Sequence, residues 1–270
     1  MKLAYYLKDR RLQLDARVLA LLADLGASGF DVYPALEASE ITPGTEMLLS
    51  FGGDGTYLSA AELALQASLP VLGVNFGRLG FLSENRPEVI ADALAGKSYS
   101  IQRRGLVKVS GLCGGDGPQM ALNEICIRRD GGAMLGIDIR VDDHSLPTYW
   151  ADGLIVATSS GSTAYALSVG GPICLPDSRV LILAPVAPHN LNVRPLIVPD
   201  SSRISVSFQS RDPQIRLSAD NREYTLPADS RLEICAVPDA LGRVVLDGSN
   251  FIEALRSRLH WGSDVRNVTD

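Results

Sequence analysis

The sequence predicts two domains, an α/β domain followed by an all-β domain. Strand and helix signals alternate through the first hundred residues. After Lys97, short strand-like runs follow one another with Gly, Asp and Pro between them. The last segment, Asn250–Leu259, is amphipathic and again helical in pattern. We therefore expect an α/β domain over residues 1–100, a β-rich domain over residues 101–249, and a C-terminal helix within residues 250–270 that packs back on the first domain.

The elements of the first domain follow from apolar periodicity. In residues 11–25 leucine and valine recur at helical spacing, and Gly26 stands where such a helix would end. Pro87 suits the first turn of a helix. Strands separated by helices imply a parallel sheet that is covered on both faces. The predicted strands and helices, in chain order, are Lys2–Leu7, Arg11–Leu25, Met47–Phe51, Tyr57–Ala67, Pro70–Val74 and a helix from Pro87 to near Gly96.

The second domain reads as a succession of short strands. Each run is apolar or alternating and is bounded by turn residues, which is typical of an all-β domain. Only Ser162–Val169 interrupts this pattern with a helical segment. The predicted strands are Val107–Val109, Ala121–Arg128, Ile137–Val141, Leu154–Thr158, Val180–Leu183, Ile204–Phe208, Ile215–Ser218, Leu232–Ala236 and Val244–Leu246.

Composition narrows the function classes. The chain has 270 residues and a formal net charge of −6, and no run of Lys or Arg exceeds two residues. A nucleic-acid-binding domain usually has a basic face, so nucleic acid is not an expected partner. No stretch approaches the roughly 18 apolar residues of a membrane-spanning helix, so a membrane is not an expected partner either.

Cysteine and histidine usage indicates a reduced, cytoplasmic protein with no metal site of its own. The four cysteines are scattered, no Cys-x-x-Cys pair occurs, and the three histidines are isolated, so neither a disulfide framework nor a zinc site is expected. These residues are Cys113, Cys126, Cys174, Cys235, His144, His189 and His260.

The first segment whose residues could take part in catalysis or binding is the glycine loop Gly52–Thr56, which joins a buried strand to a helix. Ligands of open α/β sheets bind beyond the carboxyl ends of the strands. Glycines there bring backbone amides close to phosphate oxygens, and the N-terminus of the following helix favours negative charge. Asp54, in the middle of the loop, could accept a proton from an attacking hydroxyl or help to position a metal ion. A tight turn with Asp54 as helix N-cap explains the bare motif equally well.

The second segment is the polar pair Asn123–Glu124 inside an apolar strand. An amide both donates and accepts hydrogen bonds, which suits an adenine edge, and a carboxylate accepts two hydroxyl protons, which suits a ribose diol. Since successive strand residues face opposite sides, both can serve one ligand only at a strand end or a bulge. Taken alone, the pair is more simply a solvent-exposed strand end.

The third segment, Ala151–Pro172, is an apolar strand, a hydroxyl-rich glycine turn and a short helix of small residues. Small residues let a flat ligand lie against the backbone, and Tyr165 offers an aromatic face. A close-packed turn with Ser162 as N-cap would explain the hydroxyls. It would not explain why so long a run avoids bulky side chains.

Together these segments resemble the NAD kinase family. Gly52–Thr56, Asn123–Glu124 and Asp152–Ile173 stand in the order and spacing of that family, and Gly77–Leu82 matches a further family block. The similarity extends from about Phe51 to Asp200. The glycine loop alone is shared with diacylglycerol and sphingosine kinases, whereas the long third block is much more specific.

The resemblance implies a two-domain NAD kinase fold, with a Rossmann-like N-terminal domain, a β-sandwich-like C-terminal domain and NAD between them. It implies ATP-dependent phosphorylation of the 2′-hydroxyl of the adenosine ribose of NAD, giving NADP. A divalent metal cation, Mg²⁺, would enter with ATP, and the protein would be a homodimer or homotetramer. The implied site comprises Asp54 as proton acceptor with Gly55 beside it, Asn123 and Thr163 at adenine, Glu124 at the ribose hydroxyls, Tyr165 against the nucleoside, and Asp152, Ala164, Ser168 and Ala187 at the nicotinamide end.

Two departures from the family pattern leave Asp54, Asn123 and Glu124 untouched. Ser159 and Ser160 stand where the family commonly has Pro-Thr, and Trp150 stands where a basic residue is common. Two alternatives to an NAD kinase stay open from the residues themselves. One is a lipid kinase of the diacylglycerol or sphingosine type that shares the glycine loop. The other is a catalytically silent dinucleotide-binding regulator.

Overall fold

The structure is a computed structural model that describes residues 1–77, 80–112 and 117–262. Cys113, two residues of the Gly77–Leu82 block and residues 263–270 of the predicted C-terminal region lie outside the described residues. The chain forms two compact units. Unit 1 comprises Met1–Arg103 with the residues from Leu241 onward, and unit 2 comprises Arg104–Ala240.

Unit 1 alternates strands with helices. Its strands are β1 (Lys2–Tyr6), β2 (Asp31–Pro34), β3 (Thr45–Phe51) and β4 (Val71–Val74). Its α-helices are α1 (Ala16–Ala27), α2 (Asp54–Ala67), α3 (Ile90–Ala95) and α5 (Phe251–Leu259). Short 3₁₀ helices cover Leu12–Leu14, Ala38–Glu40 and Pro87–Val89.

The strands of unit 1 form a parallel sheet in the order β4-β3-β1-β2. The C-terminal end of a long strand, which belongs to unit 1 from Leu241 onward, adds to this sheet with Arg243 opposite Val71. Leu48, Leu49 and Phe51 of β3 are fully buried, because helices cover both faces of the sheet. The sheet therefore presents the carboxyl ends of β3 and β4 at one edge, where a ligand of an α/β protein binds.

Unit 2 is built almost entirely of strands. They are β5 (Tyr99–Ser110), β6 (Gln119–Ala121), β7 (Glu124–Arg129), β8 (Leu135–Val141), β9 (His144–Ser145), β10 (Tyr149–Ala151), β11 (Gly153–Thr158), β12 (Val180–Val186), β13 (Leu196–Pro199), β14 (Ile204–Gln209), β15 (Gln214–Ala219), β16 (Arg222–Pro227) and β17 (Arg231–Leu246). β5 and β17 begin or end in unit 1. A 3₁₀ helix, Ser160–Thr163, and one helical turn, α4 (Tyr165–Ser168), follow β11.

Two antiparallel sheets make up unit 2. One has the strand order β13-β12-β11-β7-β15-β16, and the other runs β10-β8-β14-β17. A single core cluster takes side chains from both sheets, among them Ile125, Leu154, Ile137 and Val206. Alternate residues of each strand enter this core, which is the packing of a β-sandwich.

The observed elements match the predicted α/β and all-β classes but differ in detail. The segments Leu232–Ala236 and Val244–Leu246 belong to one continuous strand, β17. The predicted helix Ser162–Val169 is a 3₁₀ helix followed by a single α turn, broken at Ala164 with φ −99° and ψ −133°. No helix within the described ranges is long and apolar enough to cross a membrane. The cytoplasmic location stays a prediction.

Candidate functional site

The glycine loop connects β3 to the N-terminus of α2. Gly52 has a φ of 155°, and a Cβ placed on it would overlap the side chain of Thr56, so the position requires glycine. A Cβ on Gly53 or Gly55 would meet no atom within 4 Å, which leaves this side of the loop open. The N-cap of α2 is Gly53, so the alternative that Asp54 caps the helix is wrong.

The carboxylate of Asp54 is held by a second segment of unit 1. Its Oδ2 accepts the backbone N–H of Phe81 at 2.8 Å, and its Oδ1 accepts those of Leu82 at 3.0 Å and Ser83 at 2.8 Å. A Cβ on Gly80 would overlap this carboxylate, so the segment approaches it as closely as only glycine allows. The side chain of Asp54 is therefore fixed at the helix N-terminus by three main-chain N–H groups.

The segment that binds Asp54 is itself anchored on its far side. Arg243 donates to the Phe81 carbonyl at 2.9 Å and to the Glu84 carboxylate at 2.8 Å. Arg258 of α5 donates to the same carboxylate at 3.3 Å and lies over the Phe81 ring. These charged side chains are nearly buried, with exposed fractions of 9–13%. A buried ion-pair network thus supports the contact between Phe81–Ser83 and Asp54.

Asn123 and Glu124 lie at the start of β7, after a short break in the strand pattern that follows β6. The main chain of this turn is bound from two directions. The Asp220 carboxylate accepts the N–H groups of Leu122, Asn123 and Glu124 at 2.7, 2.8 and 3.2 Å. Thr158 donates its N–H to the Asn123 carbonyl and its hydroxyl to the Leu122 carbonyl, at 2.9 and 2.6 Å. Asn123 is 8% exposed, so the pair is not the exposed strand end that it resembles in isolation.

The Glu124 carboxyl group lies in an unusual electrostatic environment. Its Oε2 is buried and has no hydrogen-bond partner within the described part of the chain. Burial first, and then the charge of Asp220, raise the pKa of Glu124 to about 7, while a hydrogen bond from the Tyr165 backbone N–H lowers it. A buried acceptor without a donor is costly in a folded protein, so this atom is a candidate to bind a ligand hydroxyl.

The turn after β11 packs directly against the Asn123–Glu124 turn. A Cβ on Gly161 would overlap the backbone of Asn123, so glycine is needed for this contact. The Ser162 hydroxyl donates to the Cys174 carbonyl and accepts the Cys174 N–H, at 3.2 and 3.0 Å, and does not cap a helix. The N-cap interpretation of Ser162 is therefore wrong. The hydroxyls of this turn serve mainly to fold it.

The remaining residues of the predicted site divide into two groups. Thr163, Ala164 and Tyr165 form one short segment after the Gly161 turn, and the Tyr165 N–H contacts the Glu124 carboxyl group. Ser168, exposed, ends α4.

The second group is Asp152, which directly precedes β11, and Ala187, which directly follows the neighbouring strand β12. The Asp152 N–H donates to the Val186 carbonyl at 2.9 Å, which puts Asp152 beside Ala187. Ala187 has a φ of 45° and is exposed. The Asp152 carboxylate pairs with Arg129 at 2.8 Å, a partner that the sequence did not point to.

Sequence reasoning also missed Asp220, which organises the Asn123–Glu124 turn. Asp220 lies between β15 and β16 with a φ of 51°. The available signal was Ala219-Asp220-Asn221, a common turn pattern that says nothing about what the side chain contacts.

Comparison with known proteins matches both halves of the chain to one family. Residues 12–99 match the model of the ATP-NAD kinase N-terminal domain, and residues 122–245 match that of the ATP-NAD kinase C-terminal domain. The chain is 42% identical over 226 residues to an NAD kinase of Porphyromonas gingivalis and 37% identical over 231 residues to one of Flavobacterium psychrophilum. Each alignment covers 82% of this chain and 78% of the relative.

Solved structures show the same fold. An NAD kinase from Archaeoglobus fulgidus, in complex with ATP, superposes with a TM-score of 0.77 at 26% identity, covering 96% of this chain and 99% of that one. A yeast NADH kinase complexed with NADH superposes with a TM-score of 0.84 at 22% identity, covering 100% and 90%. The α/β unit with its glycine loop, followed by the β-rich unit, defines a kinase, an enzyme that transfers a phosphoryl group. The chain belongs to the NAD kinase family.

Proposed function

We infer that the protein is an ATP-dependent NAD kinase, which phosphorylates the 2′-hydroxyl of the adenosine ribose of NAD and releases NADP and ADP. The observation that carries this conclusion is the match of both domains to the ATP-NAD kinase models, with the glycine loop and the Asn123–Glu124 turn in their expected segments. The lipid-kinase and silent-regulator alternatives find no support among the relatives.

The N-terminus of α2 is suited to the phosphates of ATP. The first backbone N–H groups of an α-helix have no partner within the helix, and the helix dipole favours negative charge there. α2 has 14 residues, and Gly53 and Gly55 leave its first turn accessible. We therefore assign Gly55 and the neighbouring amides to phosphate binding.

Asp54 is proposed as the acceptor of the hydroxyl proton. A carboxylate offers about four acceptor positions. Within the described residues two on Oδ1 and one on Oδ2 are taken by the N–H groups of Phe81, Leu82 and Ser83, which leaves one on Oδ2. The proton of the 2′-hydroxyl would pass to that oxygen as the new P–O bond forms and the bond to ADP breaks. The three fixed bonds keep the carboxylate oriented for this transfer.

Residues of unit 2 are proposed to bind NAD. The unpartnered Oε2 of Glu124 suits the ribose hydroxyls, and the nearly buried Asn123 suits the adenine edge together with Thr163. Tyr165 is 36% exposed, so its ring is available to pack against the nucleoside. Asp152, Ala164, Ser168 and Ala187 are assigned to the nicotinamide end.

A divalent cation is implied by ATP-dependent phosphoryl transfer, and we propose Mg²⁺. The described residues contain no group of three or more His, Cys, Asp or Glu side chains that could hold a metal by themselves. Mg²⁺ in kinases is bound by substrate phosphates and one or two carboxylates, so this donor set fits an ion that enters with ATP near Asp54. Such an ion would neutralise charge on the phosphates.

A homodimer or homotetramer is proposed as the assembly. Strand β13 is at an edge of its sheet, and its Leu196 and Ile197 are 36% and 46% exposed. An exposed apolar edge strand is unfavourable in a monomer, which supports an interface there. Light scattering of the eluted protein would measure the mass, and a monomer at micromolar concentration would contradict the proposal.

The reaction is tested by supplying the purified protein with Mg²⁺ and each combination of NAD or NADH with ATP or polyphosphate. NADP formed from NAD is measured with a dehydrogenase that reduces NADP but not NAD, and NADPH formed from NADH is measured with an enzyme that oxidises NADPH but not NADH. We expect NADP from NAD and ATP. A parallel assay with diacylglycerol in place of NAD serves as the alternative acceptor. Phosphorylation of the lipid without phosphorylation of NAD would overturn the assignment.

A further inference from the structure

Asp220 contacts the Asn123–Glu124 turn with both its side chain and its main chain. Its carboxylate accepts three consecutive N–H groups, those of Leu122, Asn123 and Glu124. Its own N–H donates to the Glu124 carbonyl at 3.0 Å. Since Leu122 and Asn123 fall between β6 and β7, their N–H groups need a partner other than a neighbouring strand. Asp220 supplies that partner.

The same carboxylate places a negative charge beside Glu124. Asp220 is itself buried, which raises its own pKa, while the three N–H bonds and the charge of Arg222 lower it. Of the other groups near Glu124, Cys126 is neutral, because burial raises the pKa of its thiol to about 12. Tyr165 contributes a backbone N–H. Asp220 is thus the charge that acts against ionisation of Glu124.

We propose that Asp220 is a positioning residue of the dinucleotide site: its carboxylate holds the Asn123–Glu124 turn by three main-chain N–H groups and keeps a negative charge beside the carboxyl group that would bind the ribose hydroxyls. The inference rests on the proposed role of Glu124. An ionised Glu124 accepts both hydroxyl protons, whereas a protonated one has lost part of that capacity. NAD affinity should therefore rise with pH as Glu124 ionises.

The test compares NAD binding by calorimetry from pH 5.5 to 9 for the full chain and its variants. In the wild type we expect the dissociation constant to fall as pH rises, by at most about tenfold for each unit, and to level off above about 7. In Asp220→Asn the inflection should move to lower pH, because the repelling charge is gone. At pH 9 affinity should fall about three- to tenfold, because one of the three N–H bonds is lost.

Asp142→Asn is the matched control. Asp142 also has a positive φ, 53°, and its carboxylate accepts the N–H of Arg203 at 2.9 Å, but it lies in the β8–β9 turn. In Asp142→Asn the dissociation constant of NAD should show its inflection at the same pH as in the wild type. Asp220→Ser, which is neutral and keeps one acceptor, should shift the inflection in the same direction if Asp220→Asn does not fold.

The outcomes separate this inference from the function on which it rests. Wild-type protein that does not bind NAD contradicts the proposed function. Wild-type protein that binds NAD without an inflection, or a neutral Asp220 variant whose inflection stays at the wild-type pH, overturns the role of Asp220. A purely structural role would lower stability and affinity in the variant but leave the inflection in place.

Discussion

Asp54 in unit 1 and Asp220 in unit 2 use the same hydrogen-bonding arrangement for different ends. Each carboxylate accepts three consecutive backbone N–H groups from a segment distant in sequence. At Asp54 the amides hold the carboxylate that is proposed to react. At Asp220 the carboxylate holds the amides, and two of these amides belong to Asn123 and Glu124, the residues proposed to bind the ligand. The same three-amide contact thus fixes a carboxylate in unit 1 and a main-chain turn in unit 2.

The two arrangements also differ in what supports them. Asp54 belongs to a helix, and its partner segment is anchored by Arg243, Glu84 and Arg258. Asp220 belongs to a hairpin turn, and its partner segment is anchored by the carbonyl contacts of Thr158. Ion pairs in unit 1 therefore anchor the segment that holds the Asp54 carboxylate, while unit 2 has a second carboxyl group next to Asp220, that of Glu124, with one buried and unpartnered oxygen within the described residues.

The largest effect is expected from Asp54→Asn. The amide keeps an acceptor for Leu82 and Ser83 but loses the oxygen that faces Phe81 and the proposed proton. General-base assistance contributes about 10²–10⁴-fold, so kcat should fall by that factor while the dissociation constant of NAD changes little. Steady-state kinetics and calorimetry measure the two quantities.

Asp15→Asn is the control for this substitution. Asp15 is the N-cap of α1 and accepts the N–H of Arg17, and asparagine caps helices about as well. Its kcat should match that of the wild type. A folded Asp54→Asn enzyme with wild-type turnover would remove Asp54 from the mechanism and leave only its role in holding Phe81–Ser83.

The second effect is on the free energy of unfolding of the ligand-free protein, which the buried Glu124 carboxyl group lowers when it ionises. The folded-state pKa of Glu124, about 7, lies above the ordinary glutamate value of 4.5, so the folded protein binds this proton more tightly. The free energy of unfolding then falls as pH rises from about 4.5 to 7, by about 3 kcal/mol. Glu124→Gln cannot lose a proton, so it should be more stable than the wild type at pH 8 and similar at pH 4.5.

Denaturant melts at several pH values measure this difference, with Glu233→Gln as the control. Glu233 is exposed and accepts a hydrogen bond from Ser205, so its substitution should give a difference that does not grow over the same pH range. A Glu124→Gln difference that is constant with pH would show that Glu124 is no more basic in the folded protein than in the unfolded one.

The smallest effect is expected from Gly80→Ala, compared with Gly77→Ala. A Cβ at position 80 would overlap the Asp54 carboxylate, while one at position 77 would meet nothing within 4 Å. Overpacking of this kind costs about 1–3 kcal/mol of stability, and it would also turn Asp54 out of place and lower kcat. Thermal melts measure the stability of both variants, and steady-state kinetics measure their kcat. Equal behaviour of the two alanine variants would mean that Phe81–Ser83 does not constrain Asp54.

Local patterns predicted most of the fold. The strands at Met47–Phe51 and Pro70–Val74 are buried apolar runs, and a run of this kind needs no knowledge of its partners to be recognised. β2 was missed because Asp31–Pro34 is short, partly exposed and ends in proline. The helix predicted over Ser162–Val169 is broken, because Gly161 packs on Asn123 and Ser162 binds Cys174, contacts that periodicity does not contain.

In the candidate site, too, local sequence patterns were readable and tertiary contacts were not. Asp54, Asn123 and Glu124 stood out because polar residues interrupt glycine or apolar runs, and the resemblance to a family assigned them roles that stay proposals. The contact of Asp220 with Leu122–Glu124 joins positions 96–98 residues apart. An aspartate in a turn is too common for sequence to single it out. Its importance lies in the partner, which only the tertiary structure supplies.

Unit 1 is discontinuous in sequence, so it cannot be completed during translation until unit 2 has been synthesised. Glu84 finds its two cationic partners at positions 243 and 258, after the whole of unit 2 has been translated. Unit 2 will therefore have left the ribosome before Arg243 and Arg258 can form the ion pairs with Glu84 that support the Phe81–Ser83 segment. The order of synthesis makes the proposed catalytic carboxylate one of the last parts of the nascent chain to reach its final setting.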